Sequence, residues 1–242
     1  MPPTTAAVLL TRPKAQAEDF ADQLRAALGP REVVIAPVIE IVPRPATALP
    51  AGIGGLIFTS VNGVAGFAAM GGRRGLPAWC VGEATARAAR AAGCDAIAAG
   101  GDAEALLQLL VQSRPEGPLV HVRGAHAAGR LTERLVAAGI DARALVAYDQ
   151  NSRALDSAAH ALLAREAPVL LPLFSPRSAR LVAAEVAQTP LRARLLVCAL
   201  SQAVARAWRD MRPADAPEIA ARPDAAAMIA AMRRALAAAD AA

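Results

Sequence analysis

The sequence predicts an α/β protein built from two similar parallel-sheet lobes, and two observations carry that prediction. Short β-branched or leucine-rich runs alternate with longer alanine-rich stretches whose charges fall at helical spacing, the pattern of strand–helix–strand units. Four landmarks also recur in the same order in two parts of the chain, as an internal duplication would leave them.

Residues 8–11 read as a strand and residues 15–28 as a helix stopped by Gly29-Pro30. Residues 33–42 read as one long second strand interrupted by Pro37, whose missing N–H suits an edge or a connector. Pro43, Pro45 and Pro50 with Gly52, Gly54 and Gly55 make a linker. Further strands are expected at 56–59, 78–81, 96–98, 119–122, 144–148, 169–174, 195–199 and 218–220, each followed by a helix or a turn. LLTRP, ending in Arg12-Pro13, is echoed by VHVRG, ending in Arg123-Gly124, and each is read as opening a helix that stops at a glycine, Gly29 or Gly139. LIFTSVNG is echoed by LPLFSPRS, pairing Phe58 with Phe174, Thr59 with Ser175 and Asn62 with Ser178. VGEATARAAR is echoed by LSQAVARAWR, and IAAGGDAEALLQLL by IAARPDAAAMIAAM, which puts Asp102 and Asp224 at helix N-caps. The echo by itself leaves tandem and interleaved lobes equally open.

The chain has 242 residues, 55% hydrophobic and 19% charged, enough apolar content to exclude a disordered chain. No stretch approaches the roughly 20 apolar residues of a spanning helix, so no membrane partner is expected. The N-terminus lacks the basic lead of a signal peptide. Cys80, Cys94 and Cys198 are odd in number and widely spaced, arguing against a disulfide framework or a zinc site and for a reducing, cytoplasmic setting. Lys+Arg exceed Asp+Glu by 26 − 21 = 5, nearly all of it arginine, which points to an anionic partner. Nucleic acid is disfavoured, because aromatics are only 3% and the arginines are dispersed.

Two such lobes place their strand-to-helix turns at the C-terminal sheet edges, where helix N-termini offer N–H groups to carboxylates or phosphates; a cleft between lobes is the expected ligand site. There is no G-x-G-x-x-G or Walker sequence, and His121, His126 and His160 lack metal-ligand spacing. His121, between Val120 and Val122, reads as a strand residue rather than a base. In the pair Thr59-Ser60 one hydroxyl is expected to cap a helix and the other to be free for a ligand. Arg12 and Arg123 sit at helix starts, a poor place for a cation unless an anion joins it. For Tyr148, the only tyrosine, packing and function are equally open from the residues alone.

The order VLLTRP, a proline-bearing connector, IFTSVNGV, VGEATA, VHVRG, Ala147-Tyr148 and FSPRS resembles the uroporphyrinogen-III synthase family over nearly the whole chain. The resemblance implies two flavodoxin-like lobes interleaved in sequence: residues 1–36 and 151–242 in one, 46–143 in the other, joined by extended connector strands at 37–45 and 144–150. It implies an enzyme of tetrapyrrole biosynthesis. Such an enzyme cyclises hydroxymethylbilane, a linear tetrapyrrole with eight carboxylates, with loss of water and inversion of the terminal ring, without cofactor or metal; a monomer is expected. The implied route runs through an azafulvene and a spiro intermediate. Carried over by motif position, Tyr148 is the acid, and Thr59, Ser60, Asn62, Thr85, Ser175, Ser178 and Ser201 are substrate contacts, joined by Arg12 and Arg123. Two departures stand out: the amide of Asn62 occupies a place where a basic residue would make a charge contact, and Gly82 with Thr85 becomes Ser201 with Val204 in the second copy. The alternative is a two-lobed protein that binds or senses a small anion without chemistry.

Overall fold

The computed structural model describes residues 6–47, 49–126 and 130–241. In chain order the elements are β1 (Ala7–Leu10), α1 (Lys14–Leu28), β2 (Val33–Ile35), β3 (Ile39–Pro43), β4 (Gly55–Phe58), α2 (Val61–Ala69), β5 (Pro77–Cys80) and α3 (Glu83–Ala91). There follow β6 (Asp95–Ala98), α4 (Ala103–Ser113), β7 (Leu119–Gly124), α5 (Leu131–Ala137), β8 (Ala142–Ser152) and α6 (Ser157–Leu163). The chain closes with β9 (Val169–Leu173), α7 (Pro176–Ala187), β10 (Leu195–Ala199), α8 (Gln202–Arg209), β11 (Glu218–Ile219) and α9 (Ala225–Asp240).

These elements form two compact units, Met1–Glu40 with Ser152–Ala242, and Ile41–Asn151. The first sheet has the order β11-β10-β9-β1-β2 and the second β3-β8-β7-β4-β5-β6. In the first unit the strands taken in sequence lie 5-4-3-1-2, the flavodoxin-like order read from the far edge. Read backwards, the second sheet is β6-β5-β4-β7-β8 with β3 added, and it matches the first strand for strand. All four sequence echoes fall on matched positions: β1 with β7, β9 with β4, β10 with β5, and β11 with β6. The two sheets thus share one spatial plan entered by the chain at different strands.

Three expectations are corrected. Residues 33–42 are not one strand: β2 belongs to the first sheet and β3 to the second, because Pro37 has no N–H to continue a ladder and the chain leaves one sheet there to join the other. The echo LIFTSVNG/LPLFSPRS is offset by one from the pairing expected, since Ser60 and Ser175 are both N-caps, accepting from the amides of Gly63 and Ser178. Thr59 therefore corresponds to Phe174. Arg123-Gly124 does not lead straight into a helix, as α5 begins only at Leu131; residues 127–129 lie outside the described residues.

Alternation along the strands builds a core on both faces of the second sheet. Leu56 and Phe58 pack with Val64, Phe67, Ala86 and Val122, while Ile57 between them faces Leu106, Leu110 and Leu135. In the first unit Val8 and Leu10 pack with Phe20, Leu24, Leu170 and Met228. Asp102 and Asp224 cap α4 and α9 as the sequence indicated, accepting from Ala105 and Ala227 at 2.8 and 2.7 Å. A cap stabilises by about 1 kcal/mol and a buried leucine or phenylalanine by about 1.5–3 kcal/mol. The core therefore selects the fold, and the caps set where each helix starts along the C-terminal sheet edges.

Candidate functional site

In the second unit the site grows out of the turn after β4. Ser60 is extended, with φ −160° and ψ 156°, and its hydroxyl accepts the Gly63 amide at 3.2 Å as α2 begins. The helix lies unusually close to the strands beneath it. A side chain at Gly63 would come within 2.7 Å of the Val122 carbonyl, and one at Gly66 within 2.8 Å of the Ala147 methyl. That approach carries the start of α2 to β8, where Ser60 Oγ lies 3.1 Å from the Tyr148 hydroxyl.

Tyr148 is aimed by an irregularity in its strand. The β7–β8 register runs Arg123 with Val146 and then Gly124 with Tyr148, so Ala147 is the extra residue of a bulge. Ala147 and Tyr148 are consequently both buried, which simple alternation would forbid. The Tyr148 ring lies directly on Gly124. Burial pushes the phenol above its ordinary value, while hydrogen bonding from Ser60 and from the backbone of Gly124 pulls it back part of the way. At neutral pH the group is a protonated donor.

Thr59 does not remain free as the uncapped hydroxyl of its pair: its Oγ1 lies 3.3 Å from His121 Nε2, and His121 Nδ1 is 2.9 Å from Thr132 Oγ1. Burial, helped by Arg123 and opposed by Glu133, lowers the imidazole to about 4. His121 is thus a neutral bridge that fixes the Thr59 hydroxyl, consistent with its reading as a strand residue. Unfolded, an imidazole takes up its proton near 6.5, so between about pH 6.5 and pH 4 the unfolded chain holds more protons than the folded one. The contribution of His121 to stability is complete above that window and is lost as pH falls through it. His121→Gln is expected to flatten the pH dependence of denaturant unfolding there; slopes equal to wild type would show that the imidazole is not held neutral.

Asn62 and Thr85 stand in the first turns of α2 and α3, Asn62 half-buried and Thr85 only 5% exposed. Arg123, at the end of β7, donates to the Gly124 carbonyl at 3.2 Å. Across the edge of the same sheet, Arg44 grips Asp149 through two hydrogen bonds of 3.0 and 2.8 Å, which holds that carboxyl below the usual carboxylate range.

The first unit brings together Arg12, Ser175 and Ser178. Ser175 caps α7, accepting from the Ser178 amide at 3.1 Å, and the two hydroxyls lie 2.8 Å apart. Phe174, just before the cap, carries the Arg12 guanidinium at 4.0 Å over its ring and meets Phe20 edge-on at 4.9 Å. Burial lowers Arg12 to about 10, so it stays charged at neutral pH, and its Nε is buried without a hydrogen-bond partner. Ser201 caps α8, accepting from Val204 at 3.4 Å.

Sequence reasoning missed Phe174, Gly124 and the linking role of His121. Phe174 was visible only as a repeat position, and nothing in VHVRG marks its glycine as the floor beneath an aromatic ring. Among the described residues no group of three or more His, Cys, Asp or Glu is placed to hold a metal ion. No helix among them is long and apolar enough to cross a membrane.

A family model described as "Uroporphyrinogen-III synthase HemD" matches residues 18–230. The chain belongs to this family. Uroporphyrinogen-III synthases are enzymes that cyclise hydroxymethylbilane in tetrapyrrole synthesis, and this is the activity of the chain. Two solved structures share its fold. The uroporphyrinogen-III synthetase of Helicobacter pylori has a TM-score of 0.65 at 15% identity, over 93% of this chain and 96% of that one. A mutant uroporphyrinogen III synthase of Thermus thermophilus has a TM-score of 0.56 at 17% identity, over 96% and 99%. No match was found among curated proteins. The family fixes the substrate as a small tetrapyrrole, and so removes the reading of a binding protein without chemistry.

Proposed function

We propose that Tyr148 is the acid of the uroporphyrinogen-III synthase reaction: it gives its proton to the hydroxymethyl oxygen of the bilane, which leaves as water. The observation that supports this is a buried phenol, kept protonated and aimed by a strand bulge at the start of a helix. A phenol held above its ordinary range is a weak acid but a workable donor at neutral pH. Thr59, Asn62, Thr85 and Arg123 of one unit are each read as substrate contacts, and so, separately, are Arg12, Ser175, Ser178 and Ser201 of the other. Their helix N-termini suit the substrate's carboxylates. The bilane can close without help to the uninverted isomer, so holding the terminal ring for attack at its substituted carbon is the main task. Freshly generated hydroxymethylbilane incubated with the protein should yield the type III isomer; type I alone would refute the reading.

Arg12 is the charged contact that geometry favours, because its guanidinium is fixed on Phe174 and its Nε lacks a partner. Arg12→Gln is expected to raise KM about 10-fold with little change in kcat, the loss of one charge-assisted hydrogen bond. The salt dependence of KM should be shallower than in wild type. An unchanged KM would place Arg12 outside the substrate's reach. The chain is proposed to act as a monomer in the cytoplasm without a cofactor. Its three cysteines, free and buried, suit a reducing compartment.

A further inference from the structure

We infer that Ser60 is a positioning residue for Tyr148 and not a substrate contact: fixed as the cap of α2, it gives its hydrogen to the phenolic oxygen and leaves the phenol's own hydrogen to point away. This rests on the reading of Tyr148 as the acid.

Ser60 Oγ already accepts the Gly63 amide at 3.2 Å, and it has one hydrogen to give. The Tyr148 oxygen is 3.1 Å away, at a distance that lets either oxygen be the donor. An O–H whose oxygen already accepts an N–H is polarised into a better donor, and the positive end of α2 adds to that. The phenolic oxygen also lies against the Gly124 backbone, which supports its charged form. With the serine donating, the phenolic oxygen accepts from Ser60, and its own hydrogen is the one uncommitted hydrogen of the pair.

The Ser60 hydroxyl then serves the oxygen after the proton has left. The Tyr148 O–H bond breaks with its electron pair staying on the phenolic oxygen, and the proton goes to the hydroxymethyl oxygen. The C–O bond breaks with its pair going to that oxygen, and water departs. The pyrrole nitrogen supplies a pair to the carbon, giving an azafulvenium cation and a phenolate held by Ser60. The proton released when the macrocycle closes returns to the phenolate, so the cycle balances.

The test uses Ser60→Gly, because glycine at an N-cap costs far less than alanine while removing the hydroxyl. Ser60→Gly is expected to lower kcat about 10-fold at unchanged KM, and Ser60→Thr, which returns the hydroxyl, to restore it. In a Tyr148→Phe background Ser60→Gly should have no further effect. Tyr148 is the only tyrosine, so ring-labelled protein gives one tyrosine resonance and one tyrosinate titration. In Ser60→Gly the resonance should move and the titration midpoint should rise. Should Ser60→Gly not fold, Ser60→Asp, an equally good cap with no hydrogen to give, takes its place. A raised KM at unchanged kcat would overturn the proposal in favour of substrate contact. An equal loss from Ser60→Gly in the wild-type and Tyr148→Phe backgrounds would overturn it too, while a slow Tyr148→Phe enzyme would leave the acid reading standing. Full activity of Tyr148→Phe would instead remove the acid reading itself, and this proposal with it.

Discussion

Tyr148→Phe is expected to lower kcat by about 10²-fold or somewhat less and to leave type III as the main product. Positioned general acids contribute roughly 10²–10⁴-fold, and the low end applies here because water or the bilane's own carboxyl groups can replace part of the donor. The aromatic ring stays on Gly124, so KM should change little. Loss of the phenolic oxygen strands the Ser60 hydroxyl, at a cost of about 1 kcal/mol, small beside the roughly 5–15 kcal/mol that holds a typical domain together. Reduced turnover would therefore report on chemistry and not on unfolding. Single-turnover kinetics with separation of the two isomers measures both effects. A wild-type rate at saturating substrate across neutral pH would return Tyr148 to a packing role.

Gly124→Ala should be damaging for a different reason. The new methyl carbon would stand 2.7 Å from Tyr148 Cε2, 2.8 Å from Cζ and 3.1 Å from the hydroxyl oxygen. Carbon atoms in a well-packed interior do not approach so closely, and the ring has buried neighbours on the core side, Val122 and Ala147 among them. Relief of the overlap should cost about 1–3 kcal/mol of stability, as overpacking does. A displacement of the phenol by on the order of 1 Å should also cost about 10²-fold in rate. Denaturant unfolding and kcat measured on the same preparation check the two effects together. A variant as stable and active as wild type would mean that Tyr148 does not rest on this glycine.

The contrast between what could and could not be read in advance is sharpest at these residues. The strands along the chain and the repeats were legible because they are written in local patterns: apolar runs, helix stops at Gly29 and Gly139, caps at Asp102 and Asp224. Pro37 announced a break, but not that its two sides would enter different sheets, since strand pairing is a long-range choice. The one-residue offset between Thr59 and Ser175 escaped because matching by side-chain type put hydroxyl beside hydroxyl, whereas the helix start places Ser60 opposite Ser175. The bulge at Ala147 is invisible in the sequence, because an extra residue in a ladder shows only against its partner strand. For the same reason neither His121 between Thr59 and Thr132 nor Arg12 on Phe174 could be read from the chain: each joins residues brought together by the sheet.

The shared spatial plan of the two sheets, entered at different strands, has a consequence for birth on the ribosome. β1 and β2 emerge first, but β1 needs β9 on its other side, with Val8 beside Leu170. Between Ile35 and Val169 the chain must grow by 169 − 35 = 134 residues. At about 5–20 residues per second that is a wait of roughly 7–27 s. All strands of the other sheet are made within that interval, so Ile41–Asn151 can fold while the N-terminal segment still has an apolar strand without its neighbour. Newly made chains should accordingly be most exposed to chaperone capture and to aggregation through β1 until translation passes β9.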